Sequence, residues 1–287
     1  MSSNSDQPTH HFFLDVEKHI FQVTIFEKLY HTYIKVGGNL FADCVEISIP
    51  KNGEFGKLLQ VSSEPECGYP HFLGRGESVP MISVALLTAT NIYKTTHFRF
   101  DDMSQIECSD VIETTNLPRK RKIPLSLAHM SIAMYGKTWY ERHFGATMEN
   151  TSAYERYRTA VKNLEKPIDI SFDIFISQYS IHEEQIEGLR SLFEKADSWF
   201  DFFRSVPKTR HCELLYNWLP SCIQTLLDDT YIPMRWVIDT TKLPDIKFTS
   251  INQNAYANTY KRPAKTRKHR RSNIRVSNTF YTQQNIL

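Results

Sequence analysis

The stretch HFLGRGESVPMISVALLTATNIYKTTHFRF, His71 to Phe100, decides how this chain is read. Gly74 and Gly76 mark a loop. Pro80 suits a first helical turn, where its missing N–H costs nothing, and the apolar run Met81 to Tyr93 continues as a helix. His97 to Phe100 reads as a strand, and Leu58 to Val61, upstream of the loop, reads as another. Strand, glycine loop, helix, strand is the spine of an α+β domain.

Towards the N-terminus the period is two. Phe12, Leu14 and Val16 form one alternating set, Phe21, Val23 and Ile25 a second, and Val45, Ile47 and Ile49 a third. Each set lines one face of a sheet. Gly37-Gly38-Asn39 and Asn52-Gly53 supply turns between them. Residues 1–10 are polar and are expected to lack structure.

Towards the C-terminus the period lengthens. Leu125, Ala128, Ile132, Tyr135 and Trp139 fall on one helical stripe, with Gly136 as a point where the helix breaks. Ser152 and Glu155 have capping-box spacing, as do Ser180 and Glu183. Ile168, Ile170, Phe172, Ile174 and Ile176 alternate with polar residues and predict a strand. Ile186 to Phe203 predicts one long amphipathic helix whose stripe reads as core, with Trp199 and Phe202, off that stripe, as an alternative surface for a protein partner. Cys212 to Leu227, interrupted by Pro220, predicts a helix packing back on it, and Tyr231 to Ile238 a last strand. The expected organisation is an α+β domain over residues 11–150 with a mixed sheet and packed helices. A helix-rich region with one strong strand follows over 151–241, then a disordered basic tail over 242–287.

Charge is unevenly spread. Beyond Asp245 the chain has nine Lys or Arg and no acid, which leaves 25 basic against 32 acidic side chains, about −7, before it. Lys261, Arg262, Lys265, Arg267, Lys268, Arg270 and Arg271, with Arg275, put eight positive charges in fifteen residues. Such density attracts polyanions through counterion release and also fits a nuclear-import signal. Arg119, Lys120, Arg121 and Lys122 form a second basic cluster. Expected partners are therefore nucleic acid or an import receptor.

Five cysteines without a Cys-x-x-Cys pair predict free thiols in a reducing compartment, nuclear or cytoplasmic. The N-terminus lacks the apolar stretch of a secretory signal, and no window approaches the roughly 18 apolar residues of a membrane span. His211 and Cys212 are adjacent, and their distance to Cys222 matches no zinc finger, so no metal site is expected. Neither a Ser-His-Asp set nor a phosphate-binding P-loop stands out.

The order of elements over residues 40–150 resembles the GCN5-related N-acetyltransferases. In that family a strand runs into a Gln/Arg-x-x-Gly-x-Gly/Ala loop that holds the pyrophosphate of coenzyme A at a helix start. His71-Phe72-Leu73-Gly74-Arg75-Gly76 is similar to that loop, which implies acetyl-CoA or another acyl-CoA as ligand of His71, Gly74, Arg75 and Gly76. Trp139-Tyr140-Glu141-Arg142-His143-Phe144-Gly145 resembles the family's later helix end, and the resemblance implies Tyr140 as the acid that protonates the departing thiolate. Phe98 to Ala146 is also similar to stretches in uncharacterised proteins of large nucleocytoplasmic DNA viruses, a likeness that implies no activity. The expectation is an acyltransferase-like protein, with a nucleic-acid-associated accessory protein as the alternative.

Overall fold

The computed structural model describes residues 10–16, 19–37, 44–51, 55–62, 78–108, 123–243 and 248–251. The His71–Gly76 loop, the Arg119–Lys122 cluster, the Asn52-Gly53 turn and the basic run from Lys261 lie outside them, as does most of the Gly37-Gly38-Asn39 turn. The fold is α+β, in two compact units. Among the described residues the first unit holds those up to Phe100 and those from Val237 on, and the second holds Asp101–Trp236.

The first unit is a large mixed sheet with one long helix. Its strands are β1 (His10–Val16), β2 (His19–Glu27), β3 (His31–Val36), β4 (Val45–Pro50), β5 (Phe55–Val61) and β6 (His97–Phe100), with β10 (Trp236–Asp239, in this unit from Val237) and β11 (Phe248–Ile251) arriving from late in the chain. They run in the order β11-β1-β2-β3-β4-β5-β6-β10. From β11 through β5 every neighbour is antiparallel. β5 and β6 are parallel, joined by the crossover helix α1 (Ser78–Tyr93). The period of two explains the packing: Phe21, Val23, Ile25, Ile34, Val36, Val45 and Ile47 are all buried, and Leu58 and Val61 are buried on either side of an irregularity in β5. α1 lies against β3 and β4 with Ile82, Val84, Ala85, Leu86 and Ala89 fully inside. Thr240 closes the unit, its hydroxyl 2.9 Å from that of Thr90 and its N–H donating to the Thr96 carbonyl.

The second unit opens with the antiparallel hairpin β7 (Gln105–Cys108) and β8 (Ile123–Ser126). Then come α2 (Leu127–Tyr135), α3 (Trp139–Phe144), a short β9 (Thr147–Met148), α4 (Thr151–Ala160), α5 (Phe172–Gln178), α6 (Glu183–Phe193), α7 (Trp199–Ser205), α8 (His211–Leu215) and α9 (Leu219–Leu226). Gly136 and Gly145 end α2 and α3 in the left-handed conformation, at φ 67° and 60°. Phe175 is the centre of an aromatic core, with ring centroids 4.8 Å from Phe193, 5.2 Å from Trp218 and 5.5 Å from Phe202.

Several expectations need correction. The compact units divide after Phe100, and Asp101–Met148 falls with the helices that follow it. Ile168–Ile176 is not a strand: Ser171 caps α5, and Phe172 and Phe175, three residues apart, bury into the aromatic core. The long helix from Ile186 to Phe203 is two, α6 and α7, restarted by the Ser198 cap. Trp199 and Phe202 are therefore core, 4% and 0% exposed, and form no partner surface. The caps near 152 and 180 fall instead at Asn150 and His182. Order does not end at Lys242, since Phe248–Ile251 pairs with β1 as an edge strand too short to show a period. β3 was not expected at all.

Cysteine usage also differs. Cys108 and Cys212 form a disulfide across 104 residues, and Cys44 is disulfide-bonded too, whereas Cys222 is a buried free thiol. Pairing across that separation is set by tertiary placement and leaves no mark in local spacing. No helix among the described residues is long and apolar enough to cross a membrane.

Candidate functional site

The crossover is the most distinctive local geometry of the first unit. β5 and β6 share a ladder at three residue pairs, Phe55↔His97, Gly56↔Phe98 and Lys57↔Arg99. β5 then continues to Val61 along β4. Its register to β4 shifts there, with Ile47 opposite Leu58 and Glu46 opposite Gln60, so Leu59 is an extra residue. Such a bulge bends and twists its strand. The paired ends are held tightly: the Phe98 ring covers Gly56, and the Arg99 guanidinium lies 3.9 Å from the centroid of Phe55. α1 begins at Ser78, two residues after Gly76 and earlier than Pro80, where the sequence suggested its start.

Tyr140 stands in the second unit, on α3. Thr138 caps that helix reciprocally, accepting from the Glu141 N–H at 3.2 Å while its own N–H donates to Glu141 Oε2 at 2.7 Å. The Tyr140 side chain is 1% exposed. Burial first, and the charge of Asp102 second, push its hydroxyl well above the usual tyrosine range, so it stays protonated.

Around it the structure assembles a buried polar cluster that sequence reasoning missed. Glu141 is its hub: Tyr157 donates to Oε2 at 2.8 Å, Tyr154 donates to Oε1 at 3.0 Å, and Arg158 lies 3.6 Å from Oε1. Arg158 also donates to the Gly136 carbonyl. Asp102 accepts from the Ser104 hydroxyl at 2.6 Å through Oδ1. Burial, opposed by that hydrogen bond and assisted by the Glu141 charge, raises its carboxyl to about 6. His129 has Nδ1 2.7 Å from the Ser126 hydroxyl, and burial lowers it to about 4. Its ring meets Tyr231 edge-on at 5.1 Å, and Tyr231 lies 5.9 Å from Tyr157. Asp102 Oδ2, His129 Nε2 and the Tyr231 hydroxyl are buried without a hydrogen-bond partner.

The Thr138-x-x-Glu141 spacing was the one signal available in the sequence, since it is a capping box. Asp102, His129 and Tyr231 come from separate elements and no local pattern joins them. Chemically the cluster holds protons: four phenols kept neutral, an acid that titrates just below neutrality, and a histidine kept uncharged. No group of three or more His, Cys, Asp and Glu among the described residues is placed to hold a metal ion. Comparisons with protein-family models, curated proteins and solved structures returned no match.

Proposed function

We propose that the first unit is acyltransferase-like and binds an acyl-CoA, with the ligand's phosphates at His71, Gly74, Arg75 and Gly76 ahead of α1. The observation that supports this is the β5–α1–β6 crossover: one parallel pair in a sheet antiparallel from β11 to β5, laddered at three positions and followed by a bulge at Leu59. The glycines let backbone N–H groups approach an anion closely. The start of α1, two residues on, contributes the positive end of a helix dipole.

Calorimetric titration of the full chain with acetyl-CoA tests this reading. Saturable binding is expected, weakened by Gly74→Val, and absence of heat at millimolar ligand with folded protein removes the proposal. Whether Tyr140 takes part in turnover is a separate matter, decided by Tyr140→Phe. A general acid loses on the order of 10²-fold in rate. A hydroxyl serving the core loses about 1 kcal/mol of stability instead, and its 1% exposure favours this second outcome.

A second reading, association with nucleic acid, rests on the charge pattern: eight Lys or Arg in fifteen residues behind a body of about −7. It is compatible with the first, since the residues concerned are different.

A further inference from the structure

The β7–β8 hairpin is fastened at both ends by different means. At its base, the Leu127 N–H donates to the Ser104 carbonyl at 2.9 Å, and the Asp102 N–H donates to the Pro233 carbonyl at 2.6 Å. At its far end, Cys108, paired with Ile123, is bonded covalently to Cys212 on α8. A two-stranded ribbon alone is marginal in water, so this one depends on what it is tied to. Cys108 is fully buried while Cys212 is half-buried, so the Cys212 side of the bond is the more open to an external thiolate. The aromatic core around Phe175 involves neither cysteine. Three residues before β7 lies Asp102, hydrogen-bonded to Ser104, so whatever moves β7 acts on the buried acid next in the chain.

From this arrangement we infer that Cys108–Cys212 is a reversible redox latch: its reduction frees the β7–β8 hairpin and opens the Asp102 segment to water while the rest of the second unit stays folded. The reductant is a dithiol. Its thiolate attacks Cys212 Sγ and expels Cys108 Sγ as a thiolate, which takes up a proton. The second thiol of the reductant then displaces Cys212 as its thiol and leaves as the cyclic disulfide. Two electrons pass from reductant to protein. Re-oxidation by a disulfide such as oxidised glutathione reverses the sequence.

Hydrogen-exchange mass spectrometry on the full chain, before and after dithiothreitol, provides the test. The latch predicts roughly tenfold or faster exchange in Gln105–Cys108 and Ile123–Ser126 after reduction, with α6 and α7 unchanged and protection regained on re-oxidation. Because Cys44 is also disulfide-bonded, C108S/C212S examined without reductant isolates this bond, and it should show the same pattern. Unchanged exchange in both samples overturns the proposal. So does loss of protection throughout the second unit in both, which makes the bond a folding staple, and so does alkylation of Cys108 and Cys212 in unreduced, denatured protein prepared under oxidising conditions.

Discussion

Tyr157 donates its hydroxyl to Glu141 Oε2 at 2.8 Å, with the tyrosine fully buried and the glutamate 6% exposed. A carboxylate so placed is held by four groups at once: the Thr138 N–H, Tyr154, Tyr157 and Arg158. Tyr157→Phe removes one charge-assisted bond and is expected to cost about 1.5–3 kcal/mol. Glu141→Ala strands buried donors and should cost more, about 3–5 kcal/mol, the scale for breaking a buried pair from one side. Urea unfolding at constant m-value reads both. Equal and small effects would mean that the hub is not the anchor of α3 and α4.

The pH dependence of stability follows from Asp102 and His129, which act in opposite directions. Asp102 has its folded value raised to about 6 from 3.8, so the stability it contributes is full below 3.8 and is lost as pH rises through about 6. His129 is lowered to about 4 from 6.5, so its contribution is present above 6.5 and lost as pH falls through about 4. Each amounts to roughly 3 kcal/mol, and between about pH 4 and 6 they largely cancel. Asp102→Asn should therefore unmask a loss of stability on acidification below 6.5, and His129→Gln a gain. Denaturation midpoints of the three proteins from pH 4 to 7.5 check this, and parallel curves would contradict it.

The parallel ladder has its own weak point. A Cβ at Gly56 would lie 2.4 Å from Cε1 of Phe98, whose ring is fully buried and cannot swing away. Gly56→Ala should cost about 1–3 kcal/mol by overpacking. Phe98→Leu in the same chain should recover part of that loss, a coupling visible in a double-mutant cycle. Additive effects would show that the two residues do not share the space.

Most of the first unit was legible because its alternating runs are long. Phe21-Val23-Ile25 and Val45-Ile47-Ile49 each bury one face, as a period of two requires. β11 was not legible: four residues at a sheet edge owe their conformation to β1. Ile168–Ile176 misled because an alternating run is ambiguous when a cap lies inside it, and the Ser171 hydroxyl accepting from the Ile174 N–H settles the segment as helix. In the polar cluster only the Thr138–Glu141 spacing was visible. Asp102, His129 and Tyr231 meet through long-range packing, as do Cys108 and Cys212 across 104 residues.

The charge pattern yields a prediction about the C-terminal region. If Lys261–Arg275 contacts duplex DNA, affinity should fall with salt by a slope of roughly −0.9 per neutralised phosphate. Replacing Arg267, Lys268, Arg270 and Arg271 with Gln should flatten that slope by about 3–4. A truncation for this experiment belongs after Ile251, since a cut at Asp245 also removes β11 from the sheet. Unchanged affinity and slope in the truncated chain would move the contact elsewhere.

The central claim, that an acyl-CoA binds at the β5–α1–β6 crossover, is tested most directly by mapping where acetyl-CoA protects the protein. With millimolar acetyl-CoA, hydrogen exchange should slow in residues 71–81 and in Leu58–Val61, the part of β5 beyond its ladder with β6. Gly74→Val should abolish the protection while leaving β2, β3 and β4 as slow as in the parent chain. Protection confined to Lys261–Arg275, or none at saturating ligand, would contradict the assignment.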